Sequence, residues 1–299
     1  MRSHLFAIAA LLLCSVAAAQ NAPATLATAP DQKPLPNIPD LVALTTQHQK
    51  ELETVREHYT YHEQHVGHEL NSDGSVKKIG TFDFDVFYVN NHSIGRLTKK
   101  DGKDLTPDEV AKENERVDKE IANARSPEKK NGQGINLSAS RILNLSTVSN
   151  PRRIQMNGHD TIVFDFTGNH KAPAHDLSDE AIRALDGTFW IDEQDHQVVR
   201  LEAHLKDNFH IGGGLLVNIK KGSGIVIEQG KVNGEIWMPY KTTFQFEGRM
   251  LLLKGFYGNG TDTFTDYRVM RSDSVILPGV APVDENAAPP AATSPAAPK

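Results

Sequence analysis

Thr81 to Val89 reads TFDFDVFYV, a stretch in which Phe82, Phe84, Val86 and Tyr88 alternate with Asp83, Asp85 and Phe87. A period of two puts the first set on one side of an extended chain and both aspartates on the other, which predicts a strand with one buried and one wetted face. Upstream, Asn71-Ser72-Asp73-Gly74 is a turn signal leading back to a strand over Tyr59 to Leu70, and downstream Asn90-Asn91-His92 turns the chain into Ile94 to Leu97.

The same rhythm continues from Ile154. Strands are predicted over 154–156, 161–167, 188–192, 198–205, 214–220, 224–232, 235–246, 249–257 and 262–269, with one helical interruption at Ser178 to Leu185. Asn157-Gly158, Asn233-Gly234 and Glu247-Gly248 supply hairpin chemistry, so consecutive strands should pair antiparallel. Phe164 and Phe166 flank Asp165, Phe244 and Phe246 flank Gln245, and Val199, Leu201, Ala203 and Leu205 alternate with Arg200, Glu202 and His204. The expectation is an α+β protein built on one large curved antiparallel sheet that buries one side.

Helices must cover that side. Leu41, Leu44, His48, Leu52 and Val55 recur at helical steps, and Pro39 suits a first turn, so Pro39 to Arg56 is predicted as a lid. Thr106-Pro107-Asp108-Glu109 forms a capping box opening a charged helix to Arg125 whose stripe is Val110, Val117, Ile121 and Ala124. Ile135 to Leu145 is predicted as a short helix after the loop at 126–134.

The ends carry a different composition. Residues 1–19, MRSHLFAIAALLLCSVAAA, have the three parts of a secretory signal peptide with cleavage after Ala19, and the apolar run is too short for a membrane span. The lone cysteine, Cys14, leaves with it; lipidation of Cys14 is the competing reading, disfavoured by the large Leu13 before it. Residues 20–37 read as a flexible Ala/Thr/Pro linker and 278–299 as a Pro/Ala-rich tail, leaving 38–277 as a single domain. The 299 residues carry a formal charge of -6 and no long basic run, which argues against nucleic acid.

Catalytic chemistry finds little support. His58, His62, His65 and His68 crowd one segment, but strand residues two apart on a face are already about 6.6 to 6.8 Å apart, so no two of them chelate one ion unaided. No G-x-S-x-G is present, Gly212-Gly213-Gly214 lacks the rest of a phosphate loop and reads as a bend, and Asp83 and Asp85 sit on the expected wet face. The expectation is no enzyme, no catalytic residue, no metal and no cofactor. A curved sheet with an apolar inner face can instead enclose an apolar ligand.

Gly187-Thr188-Phe189-Trp190-Ile191-Asp192, followed by Gln197-Val198-Val199-Arg200-Leu201-Glu202-Ala203, resembles the W-I-D hairpin of the LolA/LolB-like outer-membrane lipoprotein-sorting proteins. The GGGLL segment and Leu251 to Phe256 resemble exported proteins with that description. The resemblance implies a half-open β-barrel with a helical lid that holds acyl chains in the periplasm, or at the outer membrane, as a monomer. Phe82, Phe84, Val86, Tyr88, Phe164, Phe166, Phe189, Ile191, Leu201, Phe244 and Phe246 would then line the cavity, with Leu41, Leu44, Leu52 and Val55 closing it. The alternative readings are an envelope regulatory or scaffold module that binds a protein partner through the outside of the sheet, and a metal-dependent enzyme on the histidine strand. No position matches the lid-latching arginine of the carriers.

Overall fold

The computed structural model describes residues 33–71, 73–90, 92–126, 137–212, 216–250 and 254–270. The signal segment with Ala19 and Cys14, most of the linker, Leu251 to Leu253 and the Pro/Ala tail lie outside the described residues.

Helix α1 (Ile38–Arg56) leads into a long hairpin, β1 (Tyr59–Leu70) and β2 (Val76–Val89), then β3 (His92–Lys100), the short β4 (Lys103–Asp104) and α2 (Pro107–Arg125). The chain continues as α3 (Ala139–Asn144), β5 (Ser146–Met156), β6 (His159–Gly168), α4 (Leu177–Arg183), β7 (Leu185–Asp192) and β8 (Gln197–Leu205). It ends in β9 (Phe209–Ile211), β10 (Val217–Ile219), β11 (Gly224–Val232), β12 (Ile236–Met250) and β13 (Lys254–Val269). All thirteen strands of the described residues join one antiparallel sheet in the order β4-β3-β2-β1-β13-β12-β11-β8-β7-β6-β5, with β10 pairing β12 and β9 to one side. The sheet does not close on itself: β4 and β5 are its ends.

Local chemistry explains most boundaries. Asn157 and Gly158 at φ 54° and 82° make the left-handed pair of a two-residue hairpin between Met156 and His159, and Asn233 and Gly234 at 53° and 75° lie in the three-residue loop between Val232 and Ile236. The Thr106 and Glu109 capping box opens α2 as read from sequence. One hairpin reading is corrected. Glu247-Gly248 is not a turn, because β12 runs through it to Met250: Gly248 is paired with Ile219 on one side and Phe256 on the other. The strand expected over 249–257 is therefore divided between the ends of β12 and β13. Of the strand expected at 214–220, Gly214 and Leu215 lie outside the described residues, and Val217–Ile219 forms β10, which pairs with β9, a strand not expected from the sequence.

The two ends of the sheet are covered differently. Over β5 to β8, α1, α3 and α4 enclose one core of Leu41, Ile142, Leu143, Ile162, Phe164, Phe166, Ile182, Phe189, Ile191 and Leu201. Gly187 permits this packing, since a Cβ there would meet the Glu202 carbonyl oxygen at 1.9 Å and the Phe166 ring at 2.6 Å. On the opposite face Ile154, Val163, Trp190 and Val199 form a second cluster, with the Arg200 guanidinium 5.5 Å from the Trp190 ring. At the other end, α2 seals the exposed rim of β3. The Leu97 amide donates to Glu113 Oε1 at 2.7 Å, Arg116 donates to the Gly95 carbonyl, and Val117 is fully buried.

Helix α1 is rolled relative to the stripe expected from its apolar spacing. Its buried residues are Leu41, Thr45, Thr46, Gln49 and Leu52, Leu44 is half-buried, and Val55 is 40% exposed. Two polar contacts accompany this rotation: Gln49 Nε2 donates to Gln197 Oε1 at 2.6 Å, and Arg56 donates to Gln229 Oε1 at 2.5 Å. Lys33 and Pro34, inside the stretch read as linker, are already anchored, since Arg153 donates to both carbonyls and Lys33 Nζ lies 2.9 Å from Glu193.

Candidate functional site

Directly opposed residues of antiparallel strands project to the same side. Register therefore carries the inner face across the sheet. One row runs Phe164, Phe189, Leu201, Ile227, Thr242, Asp262, His65 and Phe82. The next runs Phe166, Gly187, Ala203, Ile225, Phe244, Gly260, Gly67 and Gly80. The residues singled out from sequence thus divide by position along these rows. Phe164, Phe166, Phe189, Ile191 and Leu201 are enclosed in the packed core. Val86 is buried, Phe82, Phe84, Tyr88 and Phe244 are half-buried, and Phe246 is 36% exposed.

The less covered end has its own construction. Gly80, Gly67 and Gly260 stand side by side on β2, β1 and β13 and form a bare floor. Aromatic rings lie over it: a Cβ on Gly80 would meet Phe82 at 2.9 Å, on Gly67 would meet His65 at 2.8 Å, and on Gly260 would meet Phe244 at 2.5 Å. The rings follow one another as a ladder, Phe82 to His65 at 6.1 Å, His65 to Phe244 at 5.6 Å and Phe244 to Phe246 at 6.0 Å between centroids. Tyr61 continues the aromatic surface toward α1, 5.7 Å from Phe264 and 5.2 Å from Tyr267.

Ionisable groups are set into this surface. His65 Nδ1 and Asp262 Oδ1 are 2.7 Å apart, and burial pushes the Asp262 carboxyl up against the opposing pull of His65. Glu63, between Phe84 and Phe264 in the cross-strand rows, is also pushed up by burial, with Asp262 adding to the effect and His65 and His62 opposing it. It makes no ion pair among the described residues.

The histidine strand has the alternation expected of it, with His62 and His68 on one face and His65 on the other. His62 reaches Asp85 at 3.2 Å and Asp83 at 3.4 Å, and His68 reaches Asn259 at 2.8 Å. Asp83 departs from the wet-face expectation: it is 6% exposed, enclosed by His62 and Gln64, while Asp85 is solvated. Among the described residues no group of three His, Cys, Asp or Glu side chains is arranged to hold a metal ion.

Where α1 meets the aromatic surface, Arg56 lies among Tyr61, Tyr88, Tyr267 and Glu53. Burial lowers its guanidinium from the ordinary value, and these neighbours act in the opposite sense. Burial likewise pushes all three phenols up, so they stand as neutral hydroxyls around it. The sequence reading missed Arg56 because its periodic stripe stopped at Val55. The signal was available in the spacing Thr45, Gln49, Leu52 and Arg56, which keeps one helical face once polar residues are admitted to it.

Two open depressions lie elsewhere. One, of about 430 Å³, crosses the opposite face, where Glu202, Val226, Thr243 and Thr261 form one cross-strand row and His204, Gly224, Gln245, Asn259 and His68 the next. The other, of about 560 Å³, lies by His159, Asp192 and Glu193. Asp192, the last residue of the W-I-D segment, accepts from the Gln194 and Asp195 amides at 3.0 and 2.8 Å, which shapes the β7 to β8 turn. No helix of the described residues is long and apolar enough to cross a membrane. No protein-family model and no curated protein matches the chain.

Proposed function

We propose that this protein is a non-enzymatic binding protein of the lipoprotein-sorting type, which holds an acyl chain of a lipid or lipoprotein on the inner face of an open half-barrel in the periplasm. The observation that carries this reading is the aromatic ladder of Phe82, His65, Phe244 and Phe246. It continues the same face that is packed solid under the helices, yet remains partly uncovered. In this reading α1 is the lid. Ten methylenes moved from water onto such a surface contribute on the order of 8 kcal/mol, the free energy of a micromolar complex, before the costs of association.

Native mass spectrometry of protein purified from its own envelope, followed by titration with a fluorescent fatty acid, tests the proposal. Co-purified lipid and uptake that falls about tenfold or more in a folded Phe244→Asp variant are expected. No lipid and no uptake would overturn it. The polar trough across His204, Gln245, Asn259 and His68 favours a second reading, in which a protein partner binds the opposite face. Capture of a defined envelope partner that survives Phe244→Asp and is lost in Gln245→Arg would support that one instead.

A further inference from the structure

We propose that Arg56 is the receptor for the oxyanion of an amphiphile, a carboxylate or a phosphate, whose chain lies along the aromatic ladder; this deepens the chain-binding reading and rests on it. Arg56 closes the sheet-facing stripe of α1, and its Nε is enclosed and without a hydrogen-bond partner. Its hydrogen bond to Gln229 is to a neutral amide, and it makes no ion pair among the described residues. Glu53, one turn back on α1, acts on Arg56 through its charge but makes no hydrogen bond to it, and its Oε2 accepts from Ser140 Oγ of α3 at 3.1 Å. A guanidinium carries five donors in a planar fork, and holding it inside a protein without a hydrogen-bonded anion is costly. An arriving carboxylate or phosphate would supply the missing charge and accept from that fork.

The surroundings suit such a headgroup. Tyr61 donates its O–H to Tyr88, whose own O–H can donate to the same oxyanion without adding negative charge. Tyr267 also donates to the Pro239 carbonyl at 2.6 Å, which fixes its ring beside β12. Tyr61 touches Phe264 and belongs to both the headgroup end and the chain end. Tyr61 and His65 lie four residues apart on one face of β1, about 13 Å, so a chain anchored at Arg56 reaches the ladder. Glu63 lies between them, and its burial favours the neutral acid there.

The test uses the full mature chain, delipidated, and four probes: palmitate, palmitoyl lysophosphatidylglycerol, monopalmitin as a neutral amphiphile of the same chain, and inorganic phosphate. Wild type is expected to bind at least one anionic amphiphile about tenfold or more tighter than monopalmitin. Palmitate or the lysolipid taking that lead identifies a carboxylate or a phosphate as the source. Arg56→Leu is expected to lose the preference while keeping monopalmitin affinity within about twofold, and Arg56→Lys to retain part of it. The apo melting temperature of Arg56→Leu should not fall, whereas removing a structural strut would lower it.

Equal affinities of wild type for the neutral and anionic amphiphiles would overturn the proposal with no variant needed, and leave chain binding standing. A preference that persists in Arg56→Leu would also overturn it. Phosphate bound alone, with no amphiphile bound more tightly, would overturn it as an adventitious ion only. Absence of binding for all the amphiphiles would instead overturn the chain-binding reading beneath it.

Discussion

The β5 to β8 end and the β1, β2, β12 and β13 end of the sheet share the same cross-strand rows, yet one is filled and the other is left partly open. At the first, α1, α3 and α4 bring Leu41, Ile142 and Ile182 onto Phe164, Phe189 and Leu201, and ion pairs at the margin hold the cover down. Arg141 donates to Asp176 and Asp179, and Arg153 to Glu193. At the second, the rings lie over glycines, and the ionisable groups Glu63, Asp262 and Arg56 lack an ion pair or are held up by burial. A finished core satisfies its polar groups internally. In the proposed reading, a bound ligand would supply part of that pairing at the second end.

The largest expected effect tests whether the two ends differ in packing. Phe189→Ala should cost about 3–5 kcal/mol, and Phe246→Ala below about 1 kcal/mol, in urea unfolding monitored by circular dichroism. Comparable losses at both positions would mean that the ladder is core. Next comes the rim: Glu113→Ala strands the Leu97 amide and leaves Arg116 short of its closest carboxylate, for about 2–3 kcal/mol and faster amide exchange at Leu97. There burial alone would raise the Glu113 carboxyl, but the hydrogen bonds from Arg116 and Leu97 hold it below its ordinary value.

A smaller effect separates the ends by the sign of their pH response. The Asp179 carboxyl is held low by the His175 amide and Arg141, and Glu193 by Arg153. Their contribution is present above the ordinary carboxylate range and is lost as pH falls through their lowered values. Glu63 and Asp262 are raised, so the folded state carries a penalty at neutral pH that is relieved as pH falls through their raised values. Glu63→Gln should therefore melt higher than wild type at pH 7, with the gap closing toward pH 4. A gap that is constant across that range would show that Glu63 does not titrate with folding. The smallest effect belongs to the solvent-exposed tip of the long hairpin, where Lys77 and Glu69 pair in water: Lys77→Ala should change stability by less than about 0.5 kcal/mol.

Much of the architecture was legible because strands and turns carry local signals. TFDFDVFYV, the Asn-Gly hairpins and the Thr106 capping box each act within a few residues, and each is where it was expected. Glu247-Gly248 misled because a glycine is read as a turn unless its neighbours on both sides are known, and here Ile219 and Phe256 hold it straight. The site was legible as a list of inward aromatics but not as two populations, because alternation gives the face of a residue and says nothing of what covers it.

By itself, then, the sequence determined an α+β chain with one large antiparallel sheet, the apolar face of each strand and the start of α2. Those properties depend on backbone preference and on a period of two or 3.6 residues. Only the tertiary structure decided that β1 pairs β13, that α1 rolls to bury Thr45 and Gln49 in place of Val55, and that His65, Asp262 and Arg56 come to the aromatic face. These follow from contacts between segments up to about two hundred residues apart in the chain, where packing and pairing of polar groups outweigh local pattern.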